Sequence, residues 1–362
     1  MTELKLLVLG GSHFVGRAVV EAALRRSHEV TTVNRGLTGH HVDGARLIRA
    51  DRTNHVEFRA ALGEQAWDAV IDTWSGPPVD ATAAANLLGP RTRHYGYVSS
   101  RSVYSWPNAL GLDESHATVD GNPVDSSSAD YAKTKRGSEL GILAARSDAL
   151  IARAGLILGP YEDIGRLPWW LLRLRQGGKV LTPGPSTRPL QIIDARDLAK
   201  WMIDCAEQRI GGVFNSVSPV AHTTMGELLD VAGEVTESNA ELIWFTPEEI
   251  KAAGIAPWTE LPIWVPPTGP LAGLHDCDAS AAWRAGLRCR PIRQTVEDTW
   301  RWLQNEGAPD QRDDRPVHGL DAKREADLIA AHQVHGTNRD QQSREKSGSR
   351  NTYRRSGISG RM

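Results

Sequence analysis

Three groups of residues in this chain have the types and spacing that chemistry requires. The first is Gly10-Gly11-Ser12-His13-Phe14-Val15-Gly16, which follows the apolar run Leu6-Leu7-Val8-Leu9. An apolar run too short for a helix stops at a glycine pair. Val15, Val19, Ala22 and Ala23 then follow at i, i+4, i+7 and i+8, so the stretch reads as strand, tight turn and helix. Glycines there let the backbone bend sharply and approach a pyrophosphate held at the helix N-terminus. Such turns also serve as plain connections in α/β proteins, and this stretch alone does not separate the two readings. The second group is Asn34-Arg35, at the end of the β-branched run Glu29-Val30-Thr31-Thr32-Val33. In a dinucleotide fold this strand end faces the adenosine ribose, where an acid would hold the 2′-hydroxyl. Here a guanidinium stands instead, which accommodates a 2′-phosphate and favours NADP over NAD. The third is Tyr131 and Lys135, four apart and therefore on one helical face. A tyrosine of ordinary pKa is a poor base at neutral pH, and a neighbouring ammonium favours its phenolate.

The elements that must position these residues alternate along the first half of the chain. Strands are predicted at 4–9, 29–33, 45–50, 69–71 and 94–98. Helical stretches lie between them, notably 55–63 and 79–89, and a further helix runs from Tyr131 to about Arg146. This rhythm implies a doubly wound α/β fold with a parallel sheet and helices on both faces. Ligands in such sheets bind beyond the carboxyl ends of the strands. Asp51-Arg52, Asp72-Thr73-Trp74 and Ser99-Ser100 all fall there, and Asp51 and Arg52 join the candidate cofactor contacts. The polar stretch 105–129 reads as a long loop over the site.

The bulk properties narrow the class. The formal net charge of −2 gives no electrostatic case for nucleic acid from the whole chain. Cys205, Cys277 and Cys289 are odd in number and widely spaced, which suits reduced thiols rather than a disulfide framework or a metal site. A strand begins by residue 4, and no apolar run approaches the ~20 residues that span a bilayer. The expectation is a cytoplasmic protein with no metal.

The Gly10–Gly16 turn, the segment Tyr97-Val98-Ser99-Ser100-Arg101-Ser102-Val103-Tyr104 and the Tyr131/Lys135 pair together resemble the extended short-chain dehydrogenase/reductases, the nucleotide-sugar epimerase and dehydratase family. The resemblance continues through Arg153-Ala154-Gly155-Leu156-Ile157-Leu158-Gly159-Pro160 and Gln191-Ile192-Ile193-Asp194-Ala195-Arg196-Asp197, covering roughly residues 4–304. It implies that Tyr131 is the acid/base, that Ser100 donates a second hydrogen bond to the carbonyl oxygen, and that Lys135 binds the nicotinamide ribose. Ser100 is preferred to Ser99 because the family's hydroxyl stands three residues before the position of Val103. The resemblance assigns Gly10, Gly11, His13, Phe14, Val15 and Gly16 to the pyrophosphate turn. It further implies an NAD(P)-dependent reductase or epimerase acting on a nucleotide sugar or similar polar molecule, and it is compatible with a homodimer.

Three positions depart from the family pattern. His13 replaces a glycine, a change also seen in an atypical branch that includes stem-loop RNA-binding proteins. A non-catalytic NADP-binding or RNA-binding protein is therefore the rival reading. Asp72-Thr73-Trp74 stands where relatives often have small residues. Arg101 and Ser102 occupy the positions where the dehydratases place Asp-Glu, which disfavours water elimination.

The expected division is a dinucleotide-binding core over 1–158, completed by 189–218, and a substrate lobe over 159–188 and 219–304. In the lobe Trp169, Trp170 and Trp264 are candidate stacking residues and Arg166 and Arg188 candidate diphosphate ligands. Thr246-Pro247-Glu248-Glu249 is a capping box, and Pro257 to Pro270 reads as irregular. From 305 to 362 the composition turns polar and, after Gly336, basic. This tail is expected to be disordered apart from one helix at Asp321–Gln333, and through its charge it offers a contact for RNA or an acidic partner.

Overall fold

The computed structural model describes residues 3–37, 40–308 and 316–334. The first βαβ unit is β1 (Lys5–Leu9), α1 (Phe14–Leu24) and β2 (Glu29–Asn34). It is followed by β3 (Arg46–Arg49), α2 (His55–Leu62), β4 (Trp67–Asp72), α3 (Pro78–Leu88) and β5 (Thr92–Ser100). Next come α4 (Tyr131–Ala145) and β6 (Leu150–Ala154). With the strand Gly212–Ser216 they form one seven-stranded sheet, in the order Gly212–Ser216, β6, β5, β4, β1, β2, β3. Every pairing in it is parallel. The strand order reverses at β1, so the crevice beyond its carboxyl end is where a ligand fits such a sheet.

Both faces of the sheet are covered, as all-parallel sheets require. On one face α1 packs with α6 (Ala195–Gln208) over Leu6, Val8, Ala69, Ile71 and Ala152. On the other, α3 and α4 cover Leu7, Val70, Tyr95, Tyr97 and Ile151. The alternation of Leu6/Val8 with Leu7/Leu9 between two cores is the strand period made visible.

The lobe has its own core around Trp170, Leu171, Leu228, Phe245, Trp264 and Val296. It contains α5 (Arg166–Arg175) and a parallel strand pair, Lys179–Pro183 with Glu241–Phe245, that the sequence reading did not anticipate. The reading of 105–129 as a cover over the site is corrected. That segment is irregular, but none of it lines the two cavities described below. Instead Asp125 accepts from Val79 N–H and the loop packs on α4 at Gly137.

Part of the predicted tail is folded. Residues 322–334 are helical, with Glu325 and Ile329 buried against the lobe. Glu325 pairs with Arg173 at 2.7 Å and accepts Leu181 N–H at 3.0 Å, and Arg324 donates to Ala253 O at 3.1 Å and Gly254 O at 2.9 Å. The basic stretch after Gly336 lies outside the described residues. Among the described residues no helix is long and apolar enough to cross a membrane.

Candidate active site

The glycine turn has the geometry that needs glycine. Gly10 and Gly11 sit at φ 115° and 93°, in the region L side chains rarely adopt. A β-carbon on Gly10 would lie 2.5 Å from Thr73 Oγ1, and one on Gly16 would lie 2.7 Å from the Gly11 amide nitrogen. Asn34 braces the turn. Its side-chain amide donates to Gly10 O at 3.4 Å, and its oxygen accepts Gly36 N–H at 2.9 Å. Asn34 therefore holds the second strand end against the first. Arg35 is exposed at the same edge.

Two cavities flank this turn. One, of about 290 Å³, is bounded by Gly10, Gly11, Asn34, Arg35, Asp51 and Arg52. The other, of about 460 Å³, is bounded by Phe14, Val15, Gly16, Ser100, Tyr131 and Lys135 among others. His13, Thr73 and Ser75 border both, so the two meet over the turn. A bare backbone turn between two adjoining cavities fits an extended dinucleotide, with its pyrophosphate over the glycines and one nucleoside on each side. His13 carries no cap hydrogen bond to α1, and its ring packs edge-on against His40 at 5.5 Å.

In the larger cavity the three predicted reacting groups line one space. Asp130 caps α4 by accepting Lys133 N–H at 3.1 Å, which makes Tyr131 the first helical residue. Tyr131 is 37% exposed there. One turn on, Lys135 is buried. Its ammonium donates to Val98 O at 2.8 Å and Trp74 O at 2.5 Å, 4.7 Å from the centre of the Tyr97 ring. The β5 strand period separates the two serines. Ser99 points into the core and donates to Glu139 at 2.6 Å, whereas Ser100 borders the cavity and accepts Ser102 N–H at 3.1 Å.

Other predicted contacts fare differently. Asp51 accepts from Thr53 N–H at 2.9 Å and from its hydroxyl at 2.8 Å, and these bonds hold its carboxyl below the usual range. The Arg52 guanidinium is held by Asp72 at 2.7 and 3.0 Å and lies 4.6 Å over the Trp74 ring. It borders the cavity as one half of a buried ion pair. Asp72 also accepts from Tyr95 at 2.9 Å and from Trp74 N–H at 2.9 Å, which makes Asp72-Thr73-Trp74 a built floor.

In the lobe several expectations are corrected. Trp170 and Trp264 are fully buried, donating to Pro262 O and Gly184 O, and cannot stack on a ligand. Trp169 packs edge-on against Trp170 at 4.7 Å. Arg188 is buried and donates to Val265 O and Ala272 O, because the irregular segment after Pro257 folds over it. Arg166 does reach the larger cavity, stacked 5.3 Å from the Trp258 ring centre. Trp258 and Asp163 are cavity residues the sequence reading missed. Trp258 carried a signal of a kind, an aromatic among prolines, but only its contact with Arg166 distinguishes it from Trp264.

This chain belongs to the NAD dependent epimerase/dehydratase family, whose model matches residues 6–215. No curated protein matches the sequence. Among solved structures it is similar to the Bordetella bronchiseptica enzyme WbmH in complex with NAD+, at 16% identity and a TM-score of 0.63. That match covers 84% of this chain and 100% of the other. The Bordetella bronchiseptica enzyme WbmG in complex with NAD and UDP has 17% identity and a TM-score of 0.62, with 85% and 96% covered. The Thermotoga maritima UDP-glucose 4-epimerase with UDP-glucose has 15% identity and a TM-score of 0.60, with 83% and 98% covered. At these identities the likeness concerns the fold.

Proposed function

We propose that this protein is an NAD(P)-dependent oxidoreductase or epimerase acting on a hydroxyl or keto centre of a nucleotide-sugar-like substrate. The observation that carries this reading is that Ser100, Gly16 and the α4 pair Tyr131 and Lys135, from three separate stretches of chain, border one cavity. Bound in the two cavities, the dinucleotide would supply or accept the hydride. The chain's own groups would do the rest. Tyr131, at the exposed start of α4, gives or takes the proton at the reacting oxygen. The Ser100 hydroxyl donates to that oxygen and polarises it. Lys135, fixed by two backbone carbonyls, orients the nicotinamide ribose and favours the Tyr131 phenolate. Arg35, at the ribose edge of the smaller cavity, selects the 2′-phosphate of NADP. The substrate occupies the part of the larger cavity closed by Trp258 and Arg166.

Tyr131→Phe tests this directly. Removing the acid/base should lower turnover by about 10²- to 10⁴-fold while NADPH binding, read by nicotinamide fluorescence, stays nearly unchanged. Turnover equal to that of the unaltered protein refutes the assignment.

A further inference from the structure

Behind Ser100 two buried guanidinium groups converge on one turn, and neither meets a carboxylate. Arg101 donates to Leu274 O at 3.0 Å, to Gly273 O at 3.2 Å and to the side-chain oxygen of Gln191 at 3.4 Å. Arg188 donates to Ala272 O at 3.0 Å and to Val265 O at 3.2 Å. Their exposures are 7% and 8%, and every acceptor they engage is neutral. Arg101 Nε is buried with no hydrogen-bond partner at all. Other buried arginines of this molecule are matched differently: Arg52 has Asp72 and Arg153 has Glu139.

Of the two, Arg188 feels the Asp276 carboxylate through space. His275, close enough to feel both guanidiniums, accepts Gln191 N–H at 3.1 Å and makes its second bond to Ile263 O at 2.8 Å, the pattern of a neutral imidazole. Burial, with a smaller contribution from Arg188 and Arg101, pushes it down to about 4. Neither nearby acid accepts a hydrogen bond from Arg101. Asp276 accepts Gly111 N–H at 3.1 Å, and Glu114 accepts Asn215 N–H at 2.7 Å.

Arg101 and Leu274 form part of the wall of the larger cavity, next to Ser100 and Ser102. The other ionic groups of that wall are Lys135, Arg166 and Asp163, three cations in all to one carboxylate. A buried cation that makes no direct ion pair is costly to maintain, and low-dielectric walls strengthen its pull on an entering anion.

We propose that this end of the cavity selects a substrate bearing a carboxylate close to its reacting carbon. Within the function proposed above, on which this inference rests, the substrate is a sugar acid and not a neutral sugar. The carboxylate lies beside Ser100 and Ser102, within the field of Arg101, and supplies the ionic partner that none of the hydrogen bonds of Arg101 provides.

The test is titration calorimetry on the full chain loaded with NADP or NAD, using two matched pairs: UDP-glucuronate against UDP-glucose, and glucuronate against glucose. The acid should bind about tenfold more tightly than its neutral partner in at least one pair, and the gap should narrow as salt rises. Arg101→Gln should erase the preference and Arg101→Lys should keep it, with cofactor binding confirming that each variant is folded. If neither pair shows a preference in the unaltered protein, whether because both members bind equally or because neither binds, the inference is overturned. Failure to bind either cofactor, or unchanged turnover in Tyr131→Phe, counts instead against the proposed function.

Discussion

Glu139→Gln should destabilise this protein by about 3 kcal/mol. Glu139 is fully buried on α4, one turn beyond Lys135, and its carboxylate receives four hydrogen bonds. Arg153 gives two, at 2.9 and 3.0 Å, Arg136 one at 2.9 Å and Ser99 one at 2.6 Å. Arg153 is itself buried on β6, with the Tyr104 ring 4.8 Å away and neutral further acceptors in Tyr104 and, at 3.4 Å, the Glu114 carbonyl. Neutralising Glu139 leaves that guanidinium without a counter-charge, a change that costs roughly 3–5 kcal/mol in a buried pair. The glutamine oxygen can still accept from Ser99 or Arg153, which places the effect at the low end. Arg136 is partly exposed and adds at most about 1 kcal/mol.

Urea unfolding followed by tryptophan fluorescence at pH 7 reads the difference as a lowered midpoint at constant slope. A loss under about 1 kcal/mol would refute the claim that the pair is buried and mutually dependent. The double variant Glu139→Gln/Arg153→Met removes both charges and should recover more than half of the loss. The same carboxylate joins β5, which carries Ser100, to α4, which carries Tyr131. Folded Glu139→Gln should accordingly lose kcat more than it gains KM, because the reacting groups are displaced relative to each other.

Gly16→Ala places a β-carbon 2.7 Å from the Gly11 nitrogen, where only backbone can yield. It should weaken NADPH binding at least tenfold and cost about 1–3 kcal/mol of stability, both read by thermal shift with and without cofactor. Arg35→Ser should weaken NADPH about tenfold and leave NADH unchanged, if the proposed charge-assisted contact to the 2′-phosphate is the one removed; equal effects on both cofactors would exclude that contact. Glu162 is buried at the start of α5, and burial pushes its carboxyl up to about 7 from the ordinary 4.5. The folded form then holds the proton more tightly, so this group's stabilisation is complete below pH 4.5 and is lost as pH rises to 7. Glu162→Gln, whose oxygen can still accept Arg166 or Leu167 N–H, should therefore be more stable than the parent at pH 8 by up to about 3 kcal/mol; a melting temperature that falls at pH 8 would contradict this.

What the sequence disclosed and what it hid divide along the range of the interactions involved. The parallel sheet was legible because apolar runs and the strand period are local properties. The opposite facing of Ser99 and Ser100 follows from the same period, since one step along β5 sends one hydroxyl to Glu139 and the other to the cavity. Charged and aromatic side chains of the lobe were not, because their positions depend on distant backbone. Arg188 reads as a diphosphate ligand until the carbonyls of Val265 and Ala272 are seen to enclose it. Trp264 reads as a stacking residue until its indole is found donating to Gly184. A helix as polar as 322–334 docks through partners far away in sequence, Glu325 on Arg173 and Ile329 in the lobe core. The same dependence gives Arg101 its interest. In the sequence it marks only the loss of an acid that dehydratases use. In the fold, carbonyls some 170 positions away hold its guanidinium in place without neutralising it. An arginine that needed only to brace the Gly273–Leu274 turn would gain from a nearby carboxylate, as Arg153 does from Glu139. Holding it in a cavity wall through neutral oxygens alone preserves its charge for whatever enters the cavity.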